Sequence, residues 1–355
     1  MKLSYILDKK NNNIDIFRVI AAFMVIYGHA YAILPTQGKS DFLRQLLGFD
    51  YSGSLAVKVF FFISGLLVTN SLLENRNVFQ FIINRVFRIW PAFLLVLALS
   101  AFFLGPLLTQ NSFQDYFSSP VVYDYFVRGS IMDVRFYLPG VFQNNSFKAV
   151  NGSIWTIPWE VKAYLFLLAT FILKILNFRI VALIFCLLIM FSPFFSESLN
   201  LTAISKNPAE YLLWPCFAIG SIFSLYKKEL SVNLTGVCLL WIGYYLFQSN
   251  TYNFYSFYLA LFYSIVYISS LSWFLKLKPR FDISYGVYLW GFPVQQILAQ
   301  YFSDFGIYFN QIGSILATSV IGLISWKFLE NPAIKIGRNL GKSMSKLKIS
   351  IKPSL

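Results

Sequence analysis

Histidine is nearly missing from this sequence, cysteine is scarce and charge is thin. One histidine and three cysteines stand among 355 residues, and only 12% of the chain is charged. A lone imidazole, with Cys186, Cys216 and Cys238 scattered through separate apolar runs, leaves no ligand set at zinc spacing, so no metal is expected. The thiols read as inert lipid-facing or core groups. So few charges exclude an ordinary soluble globular domain. A cleavable secretory signal is not expected either: the opening MKLSYILDKKNNN is polar, and the apolar run after it lacks a small-residue cleavage site.

What the chain has in abundance is apolar surface, at 57% hydrophobic and 19% aromatic, and its natural solvent is lipid. The formal charge of +14 does not point to nucleic acid, because the basic residues form short clusters between apolar runs instead of one solvated face. Stretches long enough to span a bilayer, about 17 to 25 residues, occur near 14–34, 56–73, 90–109, 155–175, 179–195, 209–226, 233–248, 255–275, 283–303 and 311–330. The fold class expected is therefore an all-α membrane protein, a single bundle of about ten transmembrane helices. Most of the 29 lysines and arginines fall on one side of such a bundle, which predicts that both termini are cytoplasmic. The domain expected is residues 1–335, with an extracytoplasmic loop at 111–151 that shows no helical period. A basic cytoplasmic tail, 336–355, suits an anionic inner leaflet.

Ionisable groups inside apolar spans are costly, so each is a functional candidate. The first span holds Asp15, Arg18 and His29. Arg18 and His29 are eleven residues apart, which on a helix is about three turns and ~16 Å of rise and puts them on one face at different depths. Asp15 is placed to pair with Arg18. Imidazole is the side chain suited to proton exchange near neutral pH, which makes His29 a candidate base. In RVFRIWP, Arg85 and Arg88 share a helical face and can grip phosphate with forked hydrogen bonds, although basic residues at an inner boundary also serve topology alone. In NGSIWTIPWEVKAYLF, Glu160 follows Pro158 within the fourth span. Its partner is either His29, whose tautomer it would fix, or a nearby cation such as Lys162.

Taken together these motifs resemble the acyltransferase-3 family of integral membrane acyltransferases, over nearly the whole chain. The arginine, ten residues, histidine pattern is present as Arg18 and His29, with an acid at Asp15. FFFISGLLVTN resembles the family's second-helix motif, RVFRIWP its basic motif, WTIPWE its glutamate motif and ISYGVYLWGFPV its Tyr-rich late helix. The resemblance implies His29 and Glu160 as catalytic residues and Arg18, Arg85, Arg88 and Ser64 as contacts for acyl-coenzyme A. It gives Asp15, Trp155, Tyr285 and Tyr288 supporting roles. It further implies a donor, acetyl-coenzyme A above all, on the cytoplasmic side of a bacterial inner membrane. The acceptor would be a glycan on the extracytoplasmic side, a polysaccharide such as O-antigen, capsule or exopolysaccharide, or its lipid-linked precursor. No tightly bound cofactor is implied.

Two departures stand out. Many relatives carry a histidine where this chain has Gly291, and relatives with an appended esterase-like domain extend much further after the last span. Transfer is then expected to finish within the membrane domain. Rival classes are a proton-coupled transporter or polysaccharide flippase using the same charges, and the membrane-bound O-acyltransferases, whose histidine lies in a late helix.

Overall fold

The computed structural model describes residues 1–36, 38–199, 212–248 and 253–350. Residues 209–211 of one expected span and 351–355 of the expected tail lie outside the described residues. The protein is all α-helical in its regular structure, but the expectation of ten membrane-crossing helices in one bundle is not met. Among the described residues four helical stretches are long and apolar enough to cross a membrane: Ile14–Ile33, Ser52–Asn75, Val78–Leu108 and Ser284–Ser343.

The reason lies in what hydropathy measures. A crossing needs about 20 consecutive helical residues to cover ~30 Å of hydrocarbon, whereas an apolar window reports composition alone. The run at 209–226 yields Leu213–Leu225 and the run at 233–248 yields Leu234–Leu246, each of 13 residues, or ~20 Å of rise. The runs at 155–175 and 255–275 yield 17-residue helices, Thr156–Ile172 and Asn253–Ser269. The last two expected spans fall in one helical stretch of 60 residues, punctuated by a 3-10 turn at Ser303–Phe305. The chain also forms two compact units in place of a single bundle.

The first unit comprises Met1–Ala21, Ser54–Glu74 and Lys162–Arg280. Its N-terminal amine donates to the Val232 carbonyl at 2.7 Å, Val232 N returns a bond to Met1 O, and Leu3 N bonds Leu230 O. The Ser64-Gly65 pair earns its place here by closeness. A Cβ on Gly65 would strike the Phe217 carbonyl, and one on Gly220 would strike the Phe62 carbonyl and lie 2.6 Å from Leu66 N. The two helices cross at backbone contact because both positions lack a side chain. Ion pairs join Lys227 to Glu74 at 2.6 Å and Arg179 to Glu229 at 2.5 Å. A cavity in this unit is walled by Phe166, Phe185, Trp214, Phe217 and Cys186. It offers room for hydrocarbon but no group suited to moving a proton.

The second unit comprises Ala22–Gly53, Asn75–Val161 and Phe281–Leu355. Asn77 caps the Val78–Leu99 helix by accepting from Gln80 N at 2.9 Å. That helix runs into a π-turn at Ser100–Leu104, where the Tyr116 hydroxyl donates to the Ala101 carbonyl at 2.7 Å. Burial pushes the Tyr116 phenol's pKa up, so it stays protonated as a donor. Tyr116 belongs to the 111–151 segment, whose sequence shows no helical period. The structure instead builds Phe113–Ser118, capped by Ser112, and Pro120–Ser130, with Pro120 at its first position. Short helices of this kind are specified by caps, which a periodicity count does not register.

The Ser284–Phe302 and Gly306–Ser325 helices pack so closely that a Cβ on Gly286 would lie 2.7 Å from Gly322 Cα. Gln295 and Asn310, both buried, lock them: Gln295 Nε2 donates to Asn310 Oδ1 at 3.1 Å, and Asn310 Nδ2 donates to Gln295 O at 2.8 Å. The Asn331–Ser350 helix meets the Val78–Leu99 helix where Gly337 and Gly341 admit Phe87 and Gln80.

Candidate active site

His29 lies within the Ile14–Ile33 helix, in the part that belongs to the second unit, and is partly buried. Its Nδ1 faces the Ser153 hydroxyl at 3.4 Å, and its ring meets Phe292 edge-on with centroids 5.3 Å apart. Among the described residues no carboxylate bonds the ring, and Nε2 has no hydrogen-bond partner. The imidazole is thus gripped on one side and available on the other.

Ser153 opens the 3-10 turn Ser153–Trp155, directly before the Thr156–Ile172 helix. The backbone of Ser153 is tied down at both its N–H and its carbonyl. Ser153 N donates to Asn151 Oδ1 at 3.2 Å, Asn151 Nδ2 donates to Leu289 O at 2.9 Å, and the Tyr288 hydroxyl donates to Ser153 O at 2.6 Å. Since the Tyr288 hydrogen is committed to that carbonyl, the 2.5 Å contact between Thr156 Oγ1 and Tyr288 Oη has threonine as donor. Gly152 is required, because a Cβ there would lie 2.7 Å from the Phe292 ring, the same ring that meets His29. Phe147 closes the other side of Phe292 at 5.7 Å. Gln296 holds the segment by donating to Phe147 O and Ala149 O.

Glu160 sits one helical turn beyond Thr156 and is partly buried. Tyr285 donates to Ile89 O at 3.0 Å, and its ring lies 5.8 Å from the Arg88 guanidinium. Arg88 is engaged by two carboxylates, Asp282 at 2.7 Å and Glu330 at 3.6 Å, and is flanked by Trp326 at 5.7 Å. Asp282 also accepts from Ser284 Oγ at 2.6 Å, and Glu330, only 1% exposed, accepts from Ser325 Oγ at 2.8 Å. The Arg88 fork is therefore turned to groups of its own chain.

The second unit thus gathers His29, Arg85, Arg88, Trp155, Glu160, Tyr285 and Tyr288. Arg85 lies one turn before Arg88 on the same helix and is partly buried. Asp15, Arg18 and Ser64 belong to the first unit, where Ser64 Oγ is 3.2 Å from Tyr164 Oη. Asp15 occupies the first turn of its helix, where a carboxylate faces the positive end of the helix dipole. Among the described residues it forms no ion pair with Arg18. Sequence reasoning passed over Ser153, Asp282 and Glu330. The two acids had a signal, since each stands at the edge of an apolar run, whereas nothing in the spacing marks Ser153.

A family model described as an acyltransferase domain matches residues 11–326. An O-acetyl transferase of Shigella phage Sf6 is 29% identical over 329 residues, 90% of this chain and 95% of its own length. A nodulation protein 10 of Rhizobium leguminosarum bv. viciae is 26% identical over 360 residues, 93% of this chain and 95% of its own. No solved structure matches.

Proposed function

The chain belongs to the acyltransferase family, and from that premise we propose that it moves an acetyl group from acetyl-coenzyme A to a hydroxyl of a cell-surface polysaccharide or its lipid-linked precursor. The donor is taken from the cytoplasmic side of a bacterial inner membrane and the glycan is met on the other. The observation that carries this reading is the state of the only histidine: held through Nδ1 and a ring contact, with Nε2 left for a reacting group.

In the reaction the acceptor oxygen attacks the thioester carbonyl while His29 Nε2 takes its proton. Collapse of the tetrahedral intermediate breaks the carbon–sulfur bond, and the imidazolium returns the proton to the departing thiolate. Glu160 serves this chemistry from the helix that follows the Ser153 turn, whose carbonyl Tyr288 bonds. Arg85 attracts the donor's phosphates, and Trp155 shapes the acceptor's path. Arg88, already between two carboxylates, supports Tyr285 and the helix ends. The acetyl specificity is supported by the phage relative, an O-acetyl transferase.

Purified protein in lipid nanodiscs, given acetyl-coenzyme A with a panel of bacterial glycans, tests the proposal. Release of free thiol matched by an acetylated glycan is the expected result. Absence of thiol release across several acyl donors and acceptors would favour transport over transfer.

A further inference from the structure

A base that works at Nε2 needs its other ring nitrogen controlled, because an imidazole protonated on Nε2 has nothing left there to accept with. When Nε2 takes the acceptor's proton, both ring nitrogens become donors, and Nδ1–H must find an acceptor inside the protein. Ser153 Oγ is 3.4 Å from Nδ1, and Ser153 is only 1% exposed. Its burial behind a partly exposed imidazole argues against Ser153 as the group that meets substrate. Its backbone is bonded at N by Asn151 and at O by Tyr288, so the hydroxyl is presented from a stationary turn.

We propose that Ser153 is the positioning residue of the catalytic histidine: its hydroxyl accepts from Nδ1–H, which places the single proton of the neutral ring on Nδ1 and leaves Nε2 bare for the acceptor hydroxyl. The inference rests on the functional reading above but is read out separately from it. Phe292 and Gly152 complete the device, the ring steadying the imidazole and the glycine letting the turn approach. The contact joins residues 124 apart in sequence, so it exists only in the folded protein.

Because the chain has one histidine, nitrogen-15 labelling of histidine gives a spectrum of His29 alone. In parent protein in nanodiscs, the neutral ring is expected to show Nδ1 protonated and Nε2 bare. Ser153→Ala should shift the ring toward the Nε2–H form, lower kcat about tenfold, the worth of one neutral hydrogen bond, and leave KM for acetyl-coenzyme A unchanged. Ser153→Thr, which keeps the hydroxyl, should restore the parent tautomer and most of the turnover. An Nε2–H ring in the parent would overturn the proposal even if Ser153→Ala failed to fold. So would an unaltered tautomer and turnover in a folded Ser153→Ala. If Ser153→Ala were silent while His29→Ala was dead, this inference would fall and the functional reading would stand. If His29→Ala stayed active, the functional reading would fall, and the parent's tautomer would still decide the contact.

Discussion

Replacing Arg88 by alanine separates two roles that its sequence context leaves open, and the structure gives the magnitude. The guanidinium, 15% exposed, is 2.7 Å from Asp282 and 3.6 Å from Glu330. Without it, Asp282 keeps its bonds from Ser284, and its own 15% exposure gives it some solvation. Glu330 is 1% exposed and keeps the hydrogen bond from the Ser325 hydroxyl. The penalty therefore falls mainly on Glu330, the more buried of the two carboxylates, and removing one partner of a buried pair costs about 3 to 5 kcal/mol. The lower end, about 3 kcal/mol, applies because the Glu330 contact is the longer of the two. Thermal unfolding in detergent, followed by the loss of monodisperse protein on size exclusion, should show a drop of several degrees. Adding Glu330→Gln should recover most of it, because the amide still accepts from Ser325 without a charge to bury. Binding of coenzyme A, scaled to folded protein, should change little. Unchanged thermal stability together with a tenfold loss of coenzyme A affinity would refute this reasoning and return Arg88 to the donor's phosphates.

Close helix crossings make a second set of predictions. Gly286→Ala should destabilise by about 1 to 3 kcal/mol, because its Cβ meets the Gly322 backbone, which cannot yield. Gly243→Ala, with nothing within 4 Å of the new carbon, should be neutral or stabilising by up to about 1 kcal/mol on helix propensity; paired melting curves check both. Gly291→His should lower thermal stability because its Cβ falls 2.9 Å from Ile26 Cγ1. Ile26→Ala in the same chain should relieve that loss, and equal melting of the single and double variants would show that the site repacks unaided.

Much of the candidate site is legible in the sequence, because the residues proposed for it are expensive in lipid. His29, Glu160, Arg85 and Arg88 stand out as ionisable groups in or beside apolar runs, and the fold brings all four into one unit. Their partnerships were not legible. Arg88 and Asp282 are 194 residues apart, and no local pattern links a basic motif in the Val78–Leu99 helix to an acid just before the Ser284–Phe302 helix. Shared depth offers Glu160 either His29 or a cation such as Lys162 as partner, whereas the group facing the ring is a serine from the turn three residues before the Thr156–Ile172 helix begins. A buried serine carries no signature that separates it from the many serines satisfied by their own helix. The fold was misjudged for a different reason. Hydropathy gives where lipid-compatible residues lie, but helix length depends on caps, glycines and turns such as Gly306 at φ +77, and the apolar runs were longer than several of the helices they contain.

The most direct test of the central claim compares parent and His29→Ala in the same nanodisc preparation, with acetyl-coenzyme A and an acceptor glycan, reading thiol release and acetylated product together. Loss of a general base predicts a fall of at least about 10² in turnover, with unfolding temperature and coenzyme A binding near those of the parent. Turnover within about threefold of the parent, well short of what a general base supplies, would contradict the account and remove His29 from the chemistry.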